Sequence, residues 1–207
     1  MLNIFARASI SRVTDPVGAW LVRSGLTPNA VTLIGTAGAV AGSLWLFPTG
    51  HLLAGTFVVW GFAMFDLLDG AMARAQGGGT RFGTVLDATC DRIADGALLA
   101  GITWYAFVVA DSRPMAAAAL TGLVLAQVIS YIKARAEATG LGANVGLVER
   151  AERLIITLVG TGLSGFGVPH AIDVGLWLCA VLSLVTVVQR VLAVRRSAQQ
   201  LSDAGAS

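Results

Sequence analysis

From Ser24 to Phe65 no residue carries a formal charge, apart from the option of protonating His51, and only Pro48-Thr49-Gly50 interrupts the run. A helix needs about 20 apolar residues to cross the hydrocarbon core of a bilayer, so this stretch reads as two spans joined by a tight turn. Further low-charge runs lie at 96–110, 114–132, 154–172 and 174–189. The sequence therefore predicts an all-α, polytopic membrane protein with six transmembrane helices. The composition agrees: 56% hydrophobic and 13% charged residues in a chain of 207 lie well outside the usual soluble range.

Basic residues set the expected orientation, because cytoplasmic loops collect Lys and Arg. Threading six spans leaves only Arg113 outside, with the basic residues of the other loops and both termini on the opposite side. Both termini are then cytoplasmic, in a cell (inner) membrane. In residues 1–23, Leu2, Phe5, Val13, Val17 and Trp20 alternate with arginines, the pattern of an N-terminal interfacial amphipathic helix. Arg7 and Arg12 break any continuous signal-peptide core. Residues 24–197 read as one domain, and the small, polar tail 198–207 is expected to be disordered. Thr27 fits an N-cap and Pro28 the first helical position of the first span, whose Gly35, Gly38 and Gly42 allow close helix approach. Cys90 and Cys179 lie far apart without CxxC or Cys/His spacing, so neither a disulfide framework nor a zinc site is expected.

The chemistry concentrates in residues 66–91, "DLLDGAMARAQGGGTRFGTVLDATCD". Asp66 and Asp69 are three apart at the expected end of the second span, and Asp87 and Asp91 are four apart in the opening turns of the third. Residues at such spacings share a helix face, and a short glycine-rich connection makes the two helices antiparallel neighbours. Four carboxylates in one cleft repel each other and are costly to desolvate, so protonation or a divalent metal must compensate. Oxygen donors in a partly wet site suit Mg²⁺ or Mn²⁺. Gly70 and Gly83 bare the backbone, and Arg74 and Arg81 add positive charge, a combination that suits a phosphate or pyrophosphate substrate. Asp95, one turn further on, reads as a partner for an arginine. Helix-end acids alone do not explain the pattern, since Asp66 and Asp69 at a helix C-terminus oppose the macrodipole.

The spacing Asp66-x-x-Asp69-Gly70-x-x-Ala73-Arg74, eight residues, then Gly83-x-x-x-Asp87-x-x-x-Asp91 resembles the signature of the CDP-alcohol phosphotransferase family at every fixed position. The resemblance implies cleavage of a CDP-linked lipid at its pyrophosphate, with an acceptor hydroxyl attacking the lipid-bearing phosphorus and CMP leaving. It implies metal ligation by Asp66, Asp69 and Asp87, with Asp91 both near the metal and the general base. It places Gly70, Ala73, Arg74 and Gly83 on the CDP-lipid. Asn29 and Thr32 match family positions near the nucleotide and equally suit a cap or helix-packing role. A homodimer is implied as well.

The acceptor must come from water, and Lys133, Arg153 and Arg190 stand at three expected helix ends where a phosphorylated acceptor would be held, with Arg135 nearby. "ISYIKARAEATG", "VERAERLII" and "VVQR" are similar to the actinobacterial phosphatidylinositol phosphate synthases of this family, although Ala151 stands where their pattern has proline. The expected reaction is therefore transfer of the phosphatidyl group of CDP-diacylglycerol to inositol phosphate. Glycerol 3-phosphate is the alternative acceptor. An intramembrane prenyltransferase leaves Gly70, Ala73, Arg74 and Gly83 unexplained, and a divalent-cation transporter leaves the basic cluster unexplained. The expected partners are the two substrates and membrane lipid; nucleic acid is not among them.

Overall fold

A computed structural model describes residues 14–205, and every regular element among them is an α-helix. Helix α1 covers residues 14–23. It is followed by α2 (Pro28–Leu46), α3 (Leu52–Ala63), α4 (Phe65–Ala75), α5 (Arg81–Val108), α6 (Arg113–Ala138), α7 (Arg150–Gly165) and α8 (Ala171–Gly205). The first part of the expected amphipathic helix, residues 1–13, lies outside the described residues.

Four segments are long and apolar enough to cross a membrane: Pro28–Leu46, Leu52–Ala75, Arg113–Ala138 and Ala171–Asp203. The protein is thus a membrane protein by composition and helix length. The other two expected spans fall on α5 and α7, which differ for identifiable reasons. Asp87, Asp91, Arg92 and Asp95 interrupt the apolar character of α5, and α7 has only 16 residues. Residues 198–205, expected to be disordered, continue α8 as helix.

The chain forms two compact units, one of the residues up to Trp45 together with Phe57–Leu98, the other of Leu46–Thr56 together with the residues from Leu99 onward. Within the first unit, Thr27 caps α2 by accepting from the Ala30 N–H at 3.2 Å, with Pro28 opening the helix as its sequence suggests. The expected small face of α2 is present. A Cβ on Gly38 would sit 2.3 Å from the Phe62 ring, and one on Gly42 would sit 2.7 Å from Val58. The second span is not one helix: it breaks at Met64, whose backbone stays right-handed helical. Asp66 therefore lies in the first turn of α4 rather than at a helix C-terminus. The macrodipole favours a carboxylate there, so dipole mismatch no longer sets Asp66 apart from an ordinary helix-end acid.

Within the second unit, α8 packs against α6 and α7. A Cβ on Gly160 would meet the Gly175 Cα at 3.4 Å, so these two glycines set the closeness of α7 and α8. Helix α6 is capped by Ser112, which accepts from the Met115 N–H at 3.3 Å. Helix α7 opens with a capping box between Glu149 and Glu152. Ala151, which stands where the relatives' pattern has proline, therefore sits in the first turn of a helix, a place where proline is tolerated. Cys90 and Cys179 are buried free thiols.

Candidate active site

Asp66 and Asp69 project from α4, Asp87 from α5, and their carboxylate oxygens lie within 4.8 Å of one another. Asp66 is exposed, Asp69 buried and Asp87 half-buried, so the group grades from solvent into the fold. Three hard oxygen donors at that separation match the donor chemistry of a small divalent cation. Thr32 on α2 donates its hydroxyl to Asp69 Oδ2, with the Pro28 carbonyl 3.1 Å from the same oxygen, fixing one carboxylate of the group from a neighbouring helix.

Beside these carboxylates lies a cavity of about 350 Å³. Asn29 and Thr32 of α2 border it, as do Asp69, Gly70 and Ala73 of α4 and Gly83 and Asp87 of α5. The loop between α4 and α5 closes one side. Gly77 and Gly78 there have φ of +88° and +131°, values that only glycine adopts without strain. Thr80 accepts from the Gly83 N–H at 2.9 Å and so caps the start of α5. A Cβ on Gly83 would come within 3.1 Å of Thr80 Oγ1 and 3.2 Å of Asn29 Oδ1.

Most of the positions expected from sequence meet here. Asp91 does not join the three-carboxylate group: it stands one turn beyond Asp87, where the helical rise carries it about 6 Å along the axis. Its Oδ2 lies 3.8 Å from Arg92 Nη2, while Asp95, expected to pair with an arginine, lies 3.3 Å from the same nitrogen. Arg74 does not line the cavity. Its Nη2 donates to Asp15 of α1 at 2.7 Å, and its Nη1 lies 3.6 Å from where a Gly70 Cβ would be. Gln76, Thr80 and Thr84 border the cavity without having been singled out from sequence. The Thr-Arg-Phe-Gly run after three glycines carried a cap signal that identifies Thr80.

In the second unit, Arg190 of α8 is 4% exposed and donates from Nε to the Val145 carbonyl at 3.0 Å and from Nη1 to the Ile129 carbonyl at 2.7 Å. Arg153 of α7 is likewise buried and reaches the Val148 carbonyl at 3.5 Å. The structure brings these two arginines to the same loop, where each also serves the backbone. Lys133 lies on α6, 4.0 Å from Glu137, and Arg135 is exposed on the same helix.

The sequence profile described as CDP-alcohol phosphatidyltransferase matches residues 25–188. The phosphatidylinositol phosphate synthase of Mycobacteroides abscessus is 54% identical over 211 residues, covering 99% of this chain and 96% of that protein. The Mycobacterium tuberculosis enzyme of the same name is 56% identical over 192 residues, covering 91% and 88%. Its crystal structure with CDP-DAG bound superposes with a TM-score of 0.85 over 88% of this chain and 94% of that one. Its complex with manganese and citrate gives 0.86, at 56% identity over 89% and 90%. With Asp69, Gly70, Ala73, Gly83 and Asp87 of the signature lining one cavity and the profile spanning most of its length, the chain belongs to the CDP-alcohol phosphatidyltransferase family.

Proposed function

We propose that this chain transfers the phosphatidyl group of CDP-diacylglycerol to 1D-myo-inositol 3-phosphate, yielding phosphatidylinositol phosphate and CMP. The observation that carries the reading is the approach of Asp66, Asp69 and Asp87 within 4.8 Å of one another, beside a cavity bared by Gly70, Ala73 and Gly83. Relatives 54% and 56% identical that bear the synthase name, one of them solved with CDP-DAG, support the choice of substrates.

In this reading Asp66, Asp69 and Asp87 hold a divalent cation, Mg²⁺ or Mn²⁺. Bound there, the cation neutralises charge on the pyrophosphate and on the departing CMP. The acceptor hydroxyl attacks the lipid-bearing phosphorus: a new P–O bond forms, the anhydride P–O bond to CMP breaks, and Asp91 takes the hydroxyl proton. The base role suits Asp91 better than the ligand role also implied by resemblance, since it stands outside the three-carboxylate group. Gly70, Ala73 and Gly83 let the cytidine diphosphate approach the backbone, with Asn29, Thr32 and Arg74 around it. Lys133, Arg153 and Arg190, with Arg135, bind the acceptor phosphate.

The same reading places residues 24–197 in an inner membrane as six spans, with both termini and the active site facing the cytoplasm. Helix α1 (residues 14–23) lies at the membrane surface, and the enzyme works as a homodimer. The deciding experiment is CMP release by the purified chain from CDP-diacylglycerol. Release should require inositol 3-phosphate and a divalent metal and stop on chelation. Release with glycerol 3-phosphate alone would reassign the acceptor, and metal-independent release would remove the role given to the three aspartates.

A further inference from the structure

Helix α1 meets α4 at two points one turn apart. Asp15 accepts a hydrogen bond from Arg74 Nη2 at 2.7 Å, and Gly18 is buried where a Cβ would lie 2.9 Å from Ala71 C and Cβ and from Met72 N. Asp15 and Gly18 ascend their helix by three residues while Arg74 and Ala71 descend theirs by three, so one face of α1 crosses one face of α4 in antiparallel sense. The glycine permits backbone approach and the carboxylate fixes the guanidinium above it. The other end of that guanidinium matters more: its Nη1 sits 3.6 Å from the position of a Gly70 Cβ, and Gly70 borders the cavity. A fork held at one tine by Asp15 therefore presents its other tine beside the cavity rim.

We propose that Asp15 is a positioning residue for Arg74, and that α1, docked through Gly18, sets the placement of this guanidinium for the pyrophosphate of the CDP-lipid. The inference rests on the CDP-lipid reading above. The side chains of Arg74 and Asp15 are 58% and 52% exposed, and ion pairs so open to water stabilise a fold little. What the pair does supply is geometry, because a planar guanidinium with one edge engaged has few orientations left for the other. Arg74 is held by a residue 59 positions away, on an element outside the signature.

The test uses the full chain in detergent with CDP-diacylglycerol, inositol 3-phosphate and Mg²⁺. Asp15→Asn should raise the KM for CDP-diacylglycerol roughly tenfold while leaving the acceptor KM and the melting temperature unchanged. Asp15→Glu should restore part of the loss. In an Arg74→Ala background Asp15→Asn should add nothing further, the non-additivity expected of residues acting through one another. Gly18→Leu, which forces α1 away from α4, should reproduce the selective KM increase. An unchanged CDP-diacylglycerol KM in Asp15→Asn, equal increases for both substrates, or full additivity with Arg74→Ala would overturn the proposal. Failure of the wild-type chain to release CMP would instead remove the underlying functional reading.

Discussion

Thr32 on α2 donates its hydroxyl to Asp69 Oδ2 on α4, so the most buried carboxylate of the site is oriented by a helix that carries none of the signature aspartates. Groups that orient metal ligands commonly change metal affinity by about 10- to 100-fold when removed. Thr32→Val, which keeps the shape and deletes the hydroxyl, should raise the Mg²⁺ concentration for half-maximal CMP release by about that factor. Thr32→Ser should stay near wild type. Identical metal titrations for Thr32→Val and the parent would show that Asp69 holds its position unaided.

Asn substitutions separate the aspartates by role. At Asp66, Asp69 or Asp87 they should abolish metal-stimulated turnover and weaken Mn²⁺ binding measured by calorimetry. Asp91→Asn should retain CDP-diacylglycerol binding yet lose about 10²- to 10⁴-fold in kcat, the range for removal of a general base. A turnover near wild type in that variant would exclude Asp91 as proton acceptor.

Two glycines in the first unit should fail in different ways. Gly83→Ala places a methyl against Thr80 Oγ1 and Asn29 Oδ1, both beside the cavity, and is expected to raise the CDP-diacylglycerol KM about tenfold with little change in melting temperature. Gly38→Ala drives a methyl to 2.3 Å from the Phe62 ring, and should destabilise by about 1–3 kcal/mol through overpacking. Thermal unfolding alongside kinetics distinguishes the two; a reversed pattern would contradict the packing described.

The basic residues divide similarly. Lys133→Ala leaves no buried group unsatisfied and should raise the inositol phosphate KM about tenfold at unchanged stability. Arg190→Met removes donors to the Val145 and Ile129 carbonyls, each worth about 1–3 kcal/mol when left unsatisfied, so it should lower the melting temperature as well as acceptor affinity. An acceptor KM indifferent to Lys133 would return that residue to a role in membrane orientation.

What the sequence made legible was local. The Thr27-Pro28 cap, the glycine face of α2 and the spacing of the aspartates all depend on neighbours within a turn or two of chain, where side-chain type decides the outcome. The break at Met64 carries no proline and no polar residue to announce it. The partners of Arg74 and Arg190 lie 59 and 45 or 61 positions away, distances over which pattern says nothing of contact. The continuation of α8 past Ala198 likewise lies outside what small polar residues announce, since it carries on a helix already formed. Where expectation and structure diverge, a long-range contact or an already nucleated helix outweighed local composition.

The break at Met64 leaves α4 only 11 residues, about 16 Å of helix, roughly half the thickness of a hydrocarbon core. In the proposed orientation α4 is the cytoplasmic part of the second span, so its carboxylates are served from the cytosol. An ion that loads and exchanges on one side only needs no pore through the membrane. That is the physical difference between an acidic site that serves chemistry and one that conducts, and it implies that turnover proceeds with no leak of cations across the bilayer.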